Sequence, residues 1–232
     1  MVSGHDLMEG SARAVRAKTA CGIIAGPAFV SAFTAIGATR AGYDWRRHAV
    51  SSLADGREGW KQRANFMVAG TLYCIAATGL AQSPRTTVGP SVVPAIILAA
   101  GVGLIGSGIF VTDPVAGFPP SGQAPDDVSP PRTQTPAGKL HNLCAIPIFA
   151  GIPIAALVCA GSAARRRDYR WATYCAGSAI GMTRTFMLFG SAFGGAPRLA
   201  GRAGVFQRLS IATGFGWLSA LSLRALRASC HA

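Results

Sequence analysis

The sequence predicts an all-α, polytopic transmembrane bundle of six helices with a polar cap of loops on one face. Three observations predict it. Half of the 232 residues are hydrophobic and only 13% are charged, about half the charged share of a typical soluble domain. Six apolar segments have lengths that suit a bilayer, which asks for roughly 17–25 apolar residues per helix. The charges stand in short clusters between those segments, as juxtamembrane anchors do. A mean hydropathy of +0.35 agrees.

A polar N-terminal segment, residues 1–20, carries Arg13, Arg16 and Lys18 just ahead of the first span, residues 21–39. That start is similar to the charged region of a signal peptide. The apolar run exceeds a usual signal core, however, and five more spans follow, so a retained helix is expected. Residues 40–64 are polar and hold Tyr43, Trp45 and Trp60, which suit a headgroup belt. The second span is 65–82 and the third 91–111, closed by Asp113-Pro114 because proline cannot continue the helical ladder. The connection 114–138 is rich in Pro, Gly, Ser and Thr without periodicity, which predicts an irregular loop. The fourth span, 140–162, contains Pro147 and Pro153 and should be kinked. Arg165, Arg166, Arg167 and Arg170 precede the fifth span, 171–193. The sixth is 208–226, followed by the tail 227–232, and together the spans form one membrane domain, 21–226.

A formal charge of +13 is compatible with nucleic-acid binding, but its division into short clusters between apolar runs argues against it. The lipid bilayer is the expected partner. The six cysteines form no CxxC pair, so neither a zinc site nor a disulfide framework is suggested, and no cofactor or metal is expected. Gly22 and Gly26 stand at the four-residue spacing that lets helices approach closely, here inside the bundle. An even number of spans puts both termini on one side. Lys and Arg are almost equally divided between the two sides. The cluster Arg165–Arg170 and the basic flank of the first span favour cytoplasmic termini in a cell membrane.

The same parity puts 40–64, 114–139 and 194–208 on one face. Candidate catalytic residues there are His141, Asp113 and Ser51; candidate binding residues are Arg47, Arg208 and Lys139, with Arg184 from within the fifth span. Asp113 ends the third span, where the helix dipole disfavours an anion. It therefore needs several donors or a cation such as Arg47, Lys139 or Arg208, unless it is a solvated turn residue. Arg184 lies about 20 Å into its helix at about 1.5 Å per residue. It is expected to point inward and pair with Asp113 or nearby carbonyls, against the alternative of snorkelling along lipid. His141 has the chemistry of a general base, a metal ligand or a hydrogen-bonded interface residue. Ser51 completes a Ser-His-Asp set on paper, without a GxSxG elbow. Ser52, three residues before Asp55, fits a helix cap better.

Four short pieces recur in order between the apolar spans. They are Arg47-His48-Ala49-Val50-Ser51-Ser52-Leu53, Gly108-Ile109-Phe110-Val111-Thr112-Asp113-Pro114, Gly138-Lys139-Leu140-His141 and Gly204-Val205-Phe206-Gln207-Arg208-Leu209. The chain thereby resembles the bacterial membrane family called domain of unknown function 998, over roughly residues 21–226. The resemblance implies a six-helix integral membrane protein and marks Ser51, Asp113, His141 and Arg208 as characteristic polar positions. It implies no activity. From the residues, the first expectation is a polar network that holds helix ends and cap together and binds lipid or a partner. The second is a lipid-headgroup enzyme, with His141 as base, Asp113 as orienter or metal ligand and Arg208 on phosphate. A small-solute transporter is the third.

Overall fold

The computed structural model describes residues 4–115, 117–119, 134–193, 196 and 198–229. It is helical, and its long helices are α1 Gly4–Thr39, α2 Trp60–Ala81, α3 Val92–Ile109, α4 Pro136–Arg165, α5 Tyr169–Phe193 and α6 Ala203–Ala228. Each packs against the next in the chain, and α6 returns to α1, so the six close a ring. Phe29, Phe33, Tyr73, Phe215, Trp217 and Leu218 are almost wholly buried within it. Val68, Val102, Leu143, Ile180 and Met187 are exposed on the outside, as expected where lipid is the solvent.

Five of the six helices are long and apolar enough to cross a membrane: Glu9–Thr39 within α1, then α2, α3, α4 and α6. The expected fifth span lies in α5. That helix has the length, 25 residues, but does not belong to the apolar set. It carries Arg170 and Arg184 among several Ser, Thr and Gly residues.

The first helix begins well before residue 21. Ala, Arg, Met and Glu are strong helix formers, and Glu9 pairs with Arg13 one turn later at 3.0 Å, so the polar segment continues the helix from Gly4. Pro147 and Pro153 leave α4 unbroken, but the turn Pro147–Gly151 widens to a π-helix. A proline nitrogen has no hydrogen to give, and a wider turn accommodates the missing bond. Trp45 and Trp60 are more than half exposed at the end where the long connections gather, in keeping with a headgroup belt. The interior of the expected irregular loop, residues 120–133, lies outside the described residues.

Candidate functional site: a cavity under the cap

The connections do meet at one end of the ring. Residues 40–59, 110–115, 117–119 and the start of α6 bind one another through long-range contacts. The Val205 N–H donates to the Arg46 carbonyl at 3.2 Å. The Tyr43 and Phe118 rings stack edge to face at 5.3 Å, and Phe118 is fully buried. Gly204 is the point of closest approach, because a Cβ there would strike the carbonyls of Trp45 and His48.

Arg208 is the clamp of this cap. One guanidinium nitrogen donates to the carbonyls of Trp45 at 2.7 Å, His48 at 3.2 Å and Gly204 at 3.1 Å. The other donates to the Tyr43 hydroxyl at 2.5 Å, and the plane lies over the Phe33 and Tyr43 rings. Tyr43 passes its own hydrogen to the Ala49 carbonyl at 2.9 Å. Burial raises the Tyr43 phenol above its ordinary pKa, against the pull of Arg208, so it stays a neutral hydroxyl. These bonds fill the planar fork that would otherwise suit phosphate.

Asp113 finds donors rather than a cation. Helix α3 ends at Ile109, and the four residues beyond it carry Asp113 across to the start of α4. There the Thr135 hydroxyl donates to one carboxylate oxygen at 2.5 Å and the Thr135 N–H to the other at 3.2 Å. Thr135 caps α4 in turn, accepting from the Gly138 N–H at 3.0 Å. A Cβ on Gly138 would collide with the Asp113 carboxylate. The sign of the dipole argument therefore reverses, because Asp113 stands at a helix start, where an anion is favoured.

His141 serves the other side of the same junction. Its Nδ1 meets the Phe110 carbonyl at 2.8 Å, so that nitrogen carries the hydrogen and Nε2 is the acceptor in the neutral ring. The Arg63 Nε donates to the Gly108 carbonyl at 3.0 Å. His141 and Arg63 thus receive the last carbonyls of α3, groups a helix leaves without internal partners.

Ser51, Asp113 and His141 share one cavity of about 350 Å³. They and Ser52, Asn142 and Gln207 give it a polar side. Phe149, Phe186, Phe189 and Phe193 form an aromatic side. Those rings run in sequence, with Phe149 stacked on Phe186 at 4.1 Å and Phe189 against Phe193 at 4.7 Å. The half of α4 before the π turn packs on α3, whereas the half after it packs on α5. The cavity is partly open and occupies the divergence.

Not every candidate joins it. Arg184 is exposed on the outer face of α5, beside Leu157, Ile180 and Met187. It makes no ion pair among the described residues. In place of the expected inward pairing with Asp113, the Arg184 side chain is exposed on the outer face of the helix. The reason is rotation: at about 100° per residue Arg184 lies roughly 160° around the helix from Phe186. Lys139 is exposed and Arg47 half-buried, neither in the cavity wall. Ser52 does not cap the short turn Ser51–Ala54; its buried hydroxyl has no hydrogen-bond partner among the described residues. His48 turns away, accepting the Asp44 N–H at 2.8 Å and packing on Phe118.

Thr135, Tyr43 and Gln207 were not singled out as site residues in the sequence. Thr135 before Pro136 is a legible helix-start signal, and Phe186, Phe189 and Phe193 at helical spacing mark an inner face. Nothing local marks Gln207, whose carbonyl accepts the Val50 N–H at 2.6 Å from 157 positions away.

A ring of apolar helices closed by a polar cap defines a polytopic membrane protein. More narrowly, the family model described as a protein of unknown function, DUF998, matches residues 23–224. The chain belongs to that family. No curated protein and no solved structure matches it.

Proposed function

We propose that the protein binds a bilayer amphiphile in the cavity, head group against Ser51, Asp113 and His141 and chain along Phe149, Phe186, Phe189 and Phe193. The carrying observation is that one cavity of about 350 Å³ is lined both by Ser51, Asp113, His141 and Gln207 and by Phe149 with the α5 rings Phe186, Phe189 and Phe193. Pockets for small molecules run from about 300 to 1,000 Å³, mostly apolar with a few convergent polar groups. The gap between α4 and α5 is the entry from lipid. In this reading α5 is a sixth span. The termini lie in the cytoplasm of a bacterial cell, and the cap faces outward.

Native mass spectrometry of the protein released from mild detergent tests the binding. Retained lipid should fall several-fold in a Phe186→Ala, Phe189→Ala double variant and stay unchanged in Met187→Ala, whose side chain is two-thirds exposed. Equal retention in all three would defeat the reading.

A second reading is a lipid-headgroup enzyme, favoured by the shared cavity of Ser51, Asp113 and His141. His141, its Nδ1 held by the Phe110 carbonyl, would take a proton at Nε2 from a hydroxyl or water of the bound head group. Asp113 does not orient it, because its hydrogen bonds go to Thr135. Arg47, Lys139 and Arg208 would contribute at most long-range attraction. If this reading holds, a His141→Gln variant keeps the amphiphile bound and loses its conversion. Conversion undiminished in that variant would remove it.

A further inference from the structure

Resting on the amphiphile reading, we propose that the cavity selects an uncharged, hydroxyl-bearing head group, of diacylglycerol or long-chain-alcohol type, over a phosphate. Ser52 and Gln207 are the selecting side chains.

The first observation is the distribution of charge. The chain has 22 Lys and Arg, yet among the described residues none lines the cavity. Arg208, next in sequence to the cavity residue Gln207, is engaged by three carbonyls and the Tyr43 hydroxyl. The ionisable side chains in the wall are Asp113 and His141. A phosphate there would stand partly desolvated beside a carboxylate, with no cation among the described wall residues to meet it.

Asp113 does not turn the site toward cations either. Both of its oxygens accept from Thr135, and it sits at the positive end of the α4 dipole, which answers its charge.

The third observation is unused hydrogen-bonding capacity. Ser52 is 2% exposed, and its Oγ has no partner among the described residues. Gln207 is 6% exposed. Its carbonyl is taken by the Val50 N–H, while its amide nitrogen donates to none of the described residues. A buried hydroxyl left without a partner, as that of Ser52 is, is costly and rare, and Ser52 and Gln207 both line the cavity. One is a hydroxyl that gives and accepts; the other is an amide that gives. Together they complement a hydroxyl beside an ester or ether oxygen.

The test is competition for a fluorescent diacylglycerol probe on the full chain in lipid nanodiscs. The competitors are dioleoylglycerol, dioleoyl phosphatidic acid and oleylamine. Dioleoylglycerol should displace the probe at a roughly 10-fold lower concentration than either charged lipid. Ser52→Ala should weaken it roughly 10-fold, the scale of one lost hydrogen bond, while the melting temperature of the ligand-free protein holds or rises. Gln207→Glu keeps the acceptor for Val50 and removes the donors, and should weaken dioleoylglycerol comparably.

Phosphatidic acid or oleylamine competing as well as dioleoylglycerol would overturn this inference and leave the amphiphile reading standing. So would unchanged dioleoylglycerol binding in both variants, or a lower melting temperature for Ser52→Ala. Failure of every acyl-chain probe to bind would remove the amphiphile reading itself.

Discussion

The two ends of the helix ring use their polar residues differently. At the cap end, buried side chains serve the backbone. Arg208 holds the loop at Trp45 and His48, His141 and Arg63 receive the end of α3, and Asp113 and Thr135 start α4. At the opposite end, the turn between α4 and α5 rests on one half-exposed ion pair, Asp168 to Arg224 at 2.6 Å. Arg224 also lies over Trp171. Short turns close that end, so few backbone groups need help. Long connections close the cap end, and every carbonyl they bury must find a donor. The cavity lies at the cap end, where the committed side chains Asp113, His141 and Gln207 line it together with Phe149 and Phe186.

The comparison breaks most sharply at Arg208. Replacement by Leu leaves the Trp45 carbonyl and the Tyr43 hydroxyl without their donor, and the His48 carbonyl with only the Tyr43 hydroxyl at 3.3 Å. It should cost about 3–5 kcal/mol, since each bond to a charged group contributes about 1.5–3 kcal/mol. Thermal unfolding of the purified protein in detergent reads the loss. Arg208→Lys should recover only part of it, because an ammonium cannot reproduce the fork that reaches both the carbonyls and Tyr43. Full recovery by Lys would mean that charge, not geometry, holds the cap.

Gly138→Ala is the next in size. Its new Cβ falls on the Asp113 carboxylate, so either Asp113 leaves Thr135 or α4 shifts. A loss of about 1–3 kcal/mol is expected. Asp113→Asn in the same background should recover little, since the amide occupies the same space. A Gly138→Ala protein that melts like wild type would show that the start of α4 can slide freely.

The sequence carried the architecture because hydropathy and length decide where helices can cross, and connection lengths decide which end needs polar residues. That is why the connections predict Ser51, Asp113, His141 and Arg208 on one face. Partner choice was not legible. Asp113 is expected at the end of α3, but Phe110 to Thr112 leave the helix and deliver it to α4, three residues that no periodicity encodes. Arg208 was read as a free cation because its acceptors are carbonyls, which every residue has. Arg184 was readable in part: depth along α5 came from counting, whereas its rotation was written in Phe186, Phe189 and Phe193.

At the opposite end the expected effects are small. Burial raises the Asp168 carboxyl, but the Trp171 N–H and the Arg224 guanidinium lower it further, leaving it below the ordinary carboxylate value. A depressed folded value means the pair stabilises the protein above the unfolded carboxylate pKa. That contribution is lost as pH falls through the folded value. With both partners about one-third exposed, it should amount to no more than about 1 kcal/mol. Asp168→Asn should lower the melting temperature slightly at pH 7 and not at all in strong acid. An equal shift at both pH values would assign the loss to packing.

The smallest effect belongs to Arg184, and it separates the two kinds of arginine most cleanly. Arg184 and Arg208 both stand on long helices. Depth alone made Arg184 the more anomalous, because a charge within a span usually marks a buried pair. Its exposure on the outer face of α5 removes that need, since a long stem can carry the guanidinium along the apolar groove of Leu157, Ile180 and Met187 toward the interface. Arg184→Leu should therefore leave the melting temperature within about 0.5 kcal/mol of wild type, as for other surface substitutions. Adding Asp113→Asn should give only the loss of Asp113→Asn alone, because residues without contact are additive. A double variant more stable than that sum would restore the buried pair and require α5 to turn by about half a revolution.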